Sequence, residues 1–496
     1  MAFPMYNYRK SNARLQGPVS WAAPQEVARF SGGNILHDVI LGHDASVAFR
    51  ESDKTWEHGV NSNVFCFGGT GSGKTYNFIM PNLANHEDCT YVVTDPKGEL
   101  LRRMGPGLER DGYEVQVLDT IDLDRSIGYD PLRYITREQD IMTVARMLLD
   151  GIRPNRGKHH ADPFWDVSSE LLLRAGLGLL WDLECIDGCF SPTGDPTQER
   201  KYLRMNRLLD ILSLLTVSEA NDGEDKCPFD YLVEGIEAGG IETRLFEPPV
   251  RPYGPEQYHM FRMAAARTLK SILITLRADL SMLDSAEMRR VFEHDEVRLD
   301  AIDSRKRFLD VKISDCDPAK AFLANIFIKQ LVIEAERKAD ASPCGRLSRP
   351  LMFVLDEFPN VGRIPQFERV IATVRSRGIS FLLCAQSISQ LQSVYGAAEA
   401  TTILDNCDSV LYMGSGSSIE TAQFVSSLCG EAVLGTQHVG AERTAVDVRG
   451  QVITAGEVSL LPRTDCLVKI AGCRPFRTRK FGIHEHPLYA ANCVAE

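Results

Sequence analysis

The stretch FGGTGSGKTYNF, residues 67–78, decides how the rest of the chain is read. The short apolar run NVFCF leads into it, and helical spacing follows. Gly68, four residues on to Gly73, then Lys74 and Thr75 fit the phosphate-loop pattern GxxxxGK[ST]. The backbone of Gly68, Gly69, Thr70, Gly71, Ser72 and Gly73 can turn its N–H groups inward on phosphate oxygens. Lys74 brings positive charge to the β/γ oxygens, and Thr75 brings a hydroxyl for Mg²⁺. A helix starting near Lys74 adds the partial positive charge of its N-terminus. Pro81 is expected to end or kink that helix. Strand, loop and helix in this order point to bound ATP with Mg²⁺.

Such a loop needs carboxylates opposite it. The run LMFVLDEF, residues 351–358, is an apolar strand ending in Asp356 and Glu357, which places both at the C-terminal edge of a parallel sheet. Asp356 would hold the Mg²⁺ water shell, and Glu357 would polarise the attacking water. A further strand, ISFLLCAQ, ends in Gln386, which could sense the γ-phosphate or be an ordinary strand-end polar residue. The sequence has no NKxD guanine signal, and the extra strand suggests an ATPase of the RecA kind. Ring ATPases take an arginine from a neighbouring subunit. Arg375 and Arg377, in VRSRG, are the two candidates, and a surface arginine at a helix end is the competing reading of each. Asp95, in TDPKGEL, closes a strand expected beside the loop; Lys97 could meet phosphate or DNA, and Asp-Pro-x-Gly is also plain turn chemistry.

Strands alternating with helical segments argue for an α/β fold with a mainly parallel sheet. The pattern is interrupted. Residues 1–60 read as short strands and loops, 61–135 as the first part of the nucleotide-binding domain, and 136–290 as an all-α insertion. Residues 291–496 resume the nucleotide-binding domain. Within the insertion, MFRMAAARTLKSILITLRADLSML reads as one long helix. The 496 residues suffice for two or three domains. No run approaches the roughly 18 apolar residues of a membrane helix, and the N-terminus has no apolar signal region. The 13 cysteines are scattered, without zinc spacing, which fits a reducing cytoplasm. A net charge of −12 argues against a generic DNA coat. Basic residues cluster locally at IRPNRGKHH (152–160), SRKRF (304–308) and CRPFRTRKF (473–481).

The chain resembles the conjugative coupling proteins of type IV secretion, the TraG/TraD-type, VirD-class DNA-transfer ATPases. The resemblance is carried by GGTGSGKT, by TDPKGEL, and by DPFW at residues 162–165 opening the helical insertion. It is also carried by RTLKSILITL, the long block at residues 354–396, ILDNCDSVLYMG, and a tail with PF at 475–476 and HP at 486–487. It implies a RecA-like domain, an all-α domain distal to the membrane, and a homohexameric ring that hydrolyses ATP on stimulation by DNA. The ring would hand a relaxase with its attached strand to the components of the secretion channel. By this resemblance Lys74 and Thr75 are the Walker A residues, Asp356 and Glu357 the Walker B pair, and Gln386 the third motif. Arg375 is placed like the family's proposed arginine finger. Lys74, Glu357, Arg375 and Gln386 then form the catalytic set, with Thr75 and Asp356 at the metal.

The family usually begins with transmembrane helices, whereas this chain opens near the post-membrane segment GPVSWAAPQEV. The anchor is then a separate polypeptide, or the chain is a soluble variant or incomplete; the expected place is the cytoplasmic face of the cell membrane. DNA contact would be indifferent to sequence, probing the backbone in a channel and favouring single strands, with the basic clusters lining or edging it. Two other readings stay open: an ATP-regulated substrate receptor without motor activity, and an FtsK-type DNA translocase.

Overall fold

Residues alternate between two apolar layers along the central strands, and that alternation sets the architecture. The computed structural model describes residues 20–49, 59–85, 88–153, 164–186, 200–218, 225–238, 252–314, 321–414, 418–439 and 444–489, with backbone only for 433–439 and 444–448. The described strands, in chain order, are β1 (Asp38–Gly42), β2 (Ala45–Ala48), β3 (Val64–Phe67), β4 (Thr90–Thr94), β5 (Glu114–Asp119), β6 (Arg307–Lys312) and β7 (Leu351–Leu355). They continue with β8 (Ile379–Ala385), β9 (Ser409–Tyr412), β10 (Glu431–Val439), β11 (Thr444–Gln451), β12 (Asp465–Ile470) and β13 (Phe476–Arg479). β1–β2 and β10–β11 are separate antiparallel hairpins. The other nine form one sheet in the order β13-β12-β9-β3-β8-β7-β4-β6-β5.

From β9 to β5 every neighbouring pair is parallel. At the other edge β12 runs antiparallel to β9, and β13 antiparallel to β12. Strands buried on both faces read as unbroken apolar runs, which is why VFCF and LMFVL are so legible. Phe65, Phe67, Phe353, Leu355, Phe381 and Leu383 face one layer, which is continuous with the helical insertion. Val64, Cys66, Val354, Leu382 and Cys384 face the other, with the β1–β2 hairpin and the helix that follows the phosphate loop. Phe353 and Phe381 stack at 4.8 Å between ring centres, so truncating either would cost about 3–5 kcal/mol.

Among the described residues no strand lies between Asp119 and Arg307. The segment is built from helices Glu138–Ile152, Phe164–Ile186, Met205–Leu214, Pro228–Ala238, Tyr253–Arg262, Ala266–Leu280 and Ala286–Val291. The single helix expected across residues 260–283 is two: one ends at Arg262, Ala265 is extended (ψ 145°), and the next starts at Ala266. The apolar spacing stays in phase across the break, from Tyr258 and Phe261 to Leu269 and Ile272, so periodicity could not reveal it.

The chain enters and leaves this insertion side by side. Tyr129 N–H donates to Val291 O (2.8 Å), and Glu296 N–H donates to Gly128 O (2.9 Å). Two carboxylates are buried here. Asp130 accepts Leu132 N–H and Met205 N–H, while Asp295 accepts Asp130 N–H (3.2 Å) and the Tyr134 hydroxyl (2.6 Å). Among the described residues, no helix is long and apolar enough to cross a membrane.

Candidate functional site: a phosphate loop facing two carboxylates

β8 lies between β3, which feeds the phosphate loop, and β7, which ends at Asp356. Parallel register sends all three strands out at one edge: Phe67 is level with Ala385, and Leu355 with Leu383. The loop, Asp356, Glu357 and Gln386 therefore share that edge. Gly71 and Gly73 have φ of +73° and +83°, and a Cβ on Gly73 would collide with the side-chain amide of Asn77. Glycine is required there because the backbone is left-handed.

Pro81 does not end the following helix. A wide turn over Thr75–Ile79, closed by Met80 N–H to Thr75 O, precedes the proline, and the helix continues over Met80–Ala84. The wider turn takes up the register that a proline without an N–H would otherwise break.

Two side-chain pairs bridge the loop and the β7 terminus. Lys74 Nζ lies 3.3 Å from Glu357 Oε1 and donates to Gly68 O at 2.7 Å. The Thr75 hydroxyl donates to Asp356 Oδ2 at 3.0 Å. Burial disfavours the Lys74 ammonium, yet Glu357 together with Cys384, Cys66 and Asp356 outweighs it, and the pKa lies above the ordinary value. Burial, and next the negative charge of Glu357, push the Asp356 carboxyl up to about 6. Glu357 itself sits at φ +50°, strained for a residue with a Cβ. Its N–H donates to Asp356 Oδ1 (3.1 Å), and its carbonyl accepts Asn360 N–H (2.7 Å); both hold the turn.

The residues fit a nucleotide phosphate with Mg²⁺. Thr75 and Asp356 juxtapose two hard oxygens, the donor type Mg²⁺ takes. Glu357 Oε2 and Ser72 Oγ are buried with no hydrogen-bond partner among the described residues. Buried polar atoms left unpaired are costly, so these two await a ligand or water.

Gln386 follows Ala385, whose carbonyl accepts Gly68 N–H (3.1 Å), so it stands at the root of the loop with an exposed side chain. Arg375 is elsewhere. The Arg375–Arg377 turn precedes β8, at the opposite edge of the sheet. A seven-residue strand spans about 23 Å, so Arg375 does not meet its own chain's loop. Arg377 is held by Asp340 (2.8 Å) and stands near Glu336 (3.8 Å).

One expectation is corrected. β4, which ends at Asp95, is not beside the phosphate-loop strand; β7 and β8 intervene. Asp95 instead accepts Glu99 N–H and Leu101 N–H at 3.0 Å each, starting the Glu99–Arg110 helix, and Lys97 is exposed. Within the basic clusters, several of the described cations are paired with carboxylates or carbonyls. Arg305 pairs with Glu114, and Arg307 is buried against Val297 O and Arg298 O. Arg474, Arg477 and Arg479 pair with Glu26, Asp465 and Glu485. Of the first cluster, residues 154–160 lie outside the described residues, as do 162–163 of DPFW; Arg153 pairs with Asp166 and Asp279.

One residue at the loop was missed. Lys480 is buried, and its Nζ donates to Ser72 O at 2.9 Å. A signal existed: Phe476, Thr478 and Lys480 alternate inward while Arg477 and Arg479 point out.

Comparison with known proteins follows the same lines. A conjugal transfer protein TraG from Escherichia coli is 30% identical over 497 residues, covering 93% of this chain and 72% of that protein. TraG of Rhizobium radiobacter is 23% identical over 449 residues, covering 85% of this chain. The chain spans 63% of that relative's length, and 61% of that of TraG from Agrobacterium fabrum. Among solved structures, the unbound bacterial conjugative coupling protein TrwBdeltaN70 superposes with a TM-score of 0.65 at 19% identity, over 94% of this chain and 93% of that one. TrwB in complex with ADP and Mg²⁺ gives a TM-score of 0.58 at 20% identity, over 87% and 89%. The fold is thus shared with those proteins. The family described as Type IV secretory system Conjugative DNA transfer matches residues 21–492, and the chain belongs to that family.

Proposed function

We propose that the chain is an ATP-hydrolysing coupling protein that links a relaxase–DNA substrate to a type IV secretion channel and drives or licenses DNA transfer. The observation that carries the ATPase reading is the double bridge across the sheet edge, Lys74 to Glu357 and Thr75 to Asp356. The family and the ADP- and Mg²⁺-bound TrwB structure support it.

In this reading Gly68, Gly69, Thr70, Gly71, Ser72 and Gly73 cradle the phosphates and Lys74 turns from Glu357 to the phosphate oxygens. Thr75 and Asp356 hold Mg²⁺, which when bound offsets phosphate charge. Glu357, released from Lys74, orients water, and Gln386 answers the γ-phosphate from the loop root. Arg375, at the far edge of its own sheet, serves a neighbour's site, which requires a ring, and a homohexamer is the assembly we assign. Residues 136–290 form the inserted all-α domain and 61–135 with 291–496 the nucleotide-binding domain.

The test is ATP turnover with and without single- and double-stranded DNA, native chain against Lys74→Ala, over a range of protein concentrations. Turnover that DNA stimulates, that rises cooperatively with concentration and that vanishes in Lys74→Ala is the expected result. Nucleotide binding without DNA-stimulated turnover, where hexamers are present, would leave a receptor or switch in place of a motor.

A further inference from the structure

The inference rests on the nucleotide-binding reading and concerns how the loop is held for that task. We propose that Lys480 is a positioning residue for the phosphate loop, fixing the Ser72–Gly73 peptide so that the Gly73 N–H faces the bound phosphates.

Lys480 directly follows β13, yet its Nζ reaches Ser72 O at 2.9 Å, and the residue is 6% exposed. In a trans peptide the carbonyl and the next N–H point in opposite directions. Holding Ser72 O toward Lys480 therefore turns Gly73 N–H away from Lys480, and Gly73 takes the left-handed φ of +83° that such an orientation uses. A cation on the carbonyl also polarises the peptide and strengthens its N–H as a donor. The loop thus has a lysine on each side: Lys74 within it, and Lys480 behind it.

The tail beyond Lys480 fastens that lysine to the helix leaving the loop. His484 stacks on Tyr76 with ring centres 6.2 Å apart. His486 Nε2 lies 2.7 Å from Asn85 Oδ1, and Asn85 donates to Asp38 O (2.7 Å). The tail therefore touches the loop and its helix at residues 72, 76 and 85. Burial lowers the Lys480 pKa, with Cys466 and Cys66 acting against that shift. An ammonium retained in such surroundings needs an acceptor such as Ser72 O.

The experiment is calorimetric binding of ADP with Mg²⁺ to the full chain, alongside ATP turnover and the melting temperature without nucleotide. Lys480→Met keeps the stem and loses the donor. It should weaken ADP about tenfold and raise KM similarly, with kcat within about threefold, because a contact made equally in ground and transition state is lost. The nucleotide-free melting temperature should stay within about 3 °C, and Lys480→Arg should restore affinity to within about threefold. If Lys480→Met does not fold, Lys480→Gln, a neutral donor, should weaken ADP by about threefold. Native ADP affinity in Lys480→Met, or an equal loss in Lys480→Arg, overturns the proposal. A native chain that binds no ADP overturns the nucleotide reading beneath it.

Discussion

The carboxylate pair at the phosphate loop and the pair at the root of the helical insertion are shifted alike, yet only the first faces a ligand cradle. At the phosphate loop, Asp356 is pushed up to about 6 and shares a turn with Glu357. At the root of the helical insertion, burial pushes Asp130 up to about 7 and Asp295 up to about 6. The protonation shifts are alike. The partners differ. Asp130 and Asp295 are answered by backbone N–H groups, the Tyr134 hydroxyl and the Arg133 guanidinium (3.5 Å from Asp295), so that pair closes the root of the helical segment. Asp356 and Glu357 face a lysine, a hydroxyl and a glycine loop, and Glu357 keeps an unanswered oxygen. A perturbed carboxyl is therefore not itself a sign of chemistry; the unanswered polar atom beside a cradle is.

The largest effect expected is at the loop. Lys74→Ala should lower ATP turnover by about a thousandfold or more, since it removes the charge that meets the phosphates. Residual turnover near the native rate would erase the contrast between the pairs. Arg375→Ala should cost about a thousandfold in turnover at concentrations where hexamers form, with ADP affinity unchanged. Mixing it with Lys74→Ala subunits should restore part of the rate, because each supplies what the other's site lacks. No recovery in the mixed ring would remove Arg375 from a neighbour's site.

Gln386→Ala should lower turnover by about ten- to a hundredfold without changing ADP affinity, as befits a group answering only the γ-phosphate. A loss in ADP binding instead would make it part of the loop's framework.

The smallest effect sharpens the other side of the comparison. Unfolded aspartates release protons near 4, whereas folded Asp130 and Asp295 hold theirs to about 7 and 6. Their folded pKa values are raised, so the pair favours the fold fully below about pH 4 and loses that contribution as pH rises through about 7. Asp130→Asn should gain on the native chain by about 2 kcal/mol between pH 5 and 7.5, read as denaturant midpoints. A stability difference constant over that range would show that the pair does not exchange protons with folding.

Much of the nucleotide half was legible because its constraints are local. Gly68 to Thr75 lie on one turn, and the doubly buried strands ending in Asp356 and Gln386 write themselves as apolar runs. The antiparallel edge of β12 and β13 was not legible, since pairing partners are set by distant residues. The break at Ala265 was hidden by apolar spacing that stays in phase. The partners of the basic clusters were not legible, because sequence shows charge without the carboxylates that answer it, as Glu26 does for Arg474.

The sequence by itself determined the phosphate loop, the carboxylate strand opposite it, the mainly parallel α/β class and the helical interruption. Each depends on residue type and near-neighbour spacing, which backbone sterics and burial convert directly into local structure. Only the tertiary structure decided that β8 separates β3 from β7, that Arg375 stands at the far edge and that Lys480 lies behind the loop. Those three facts depend on strand order and on contacts between residues up to 408 positions apart. Local preference carries no record of such contacts; the shared burial of the two sheet faces selects them.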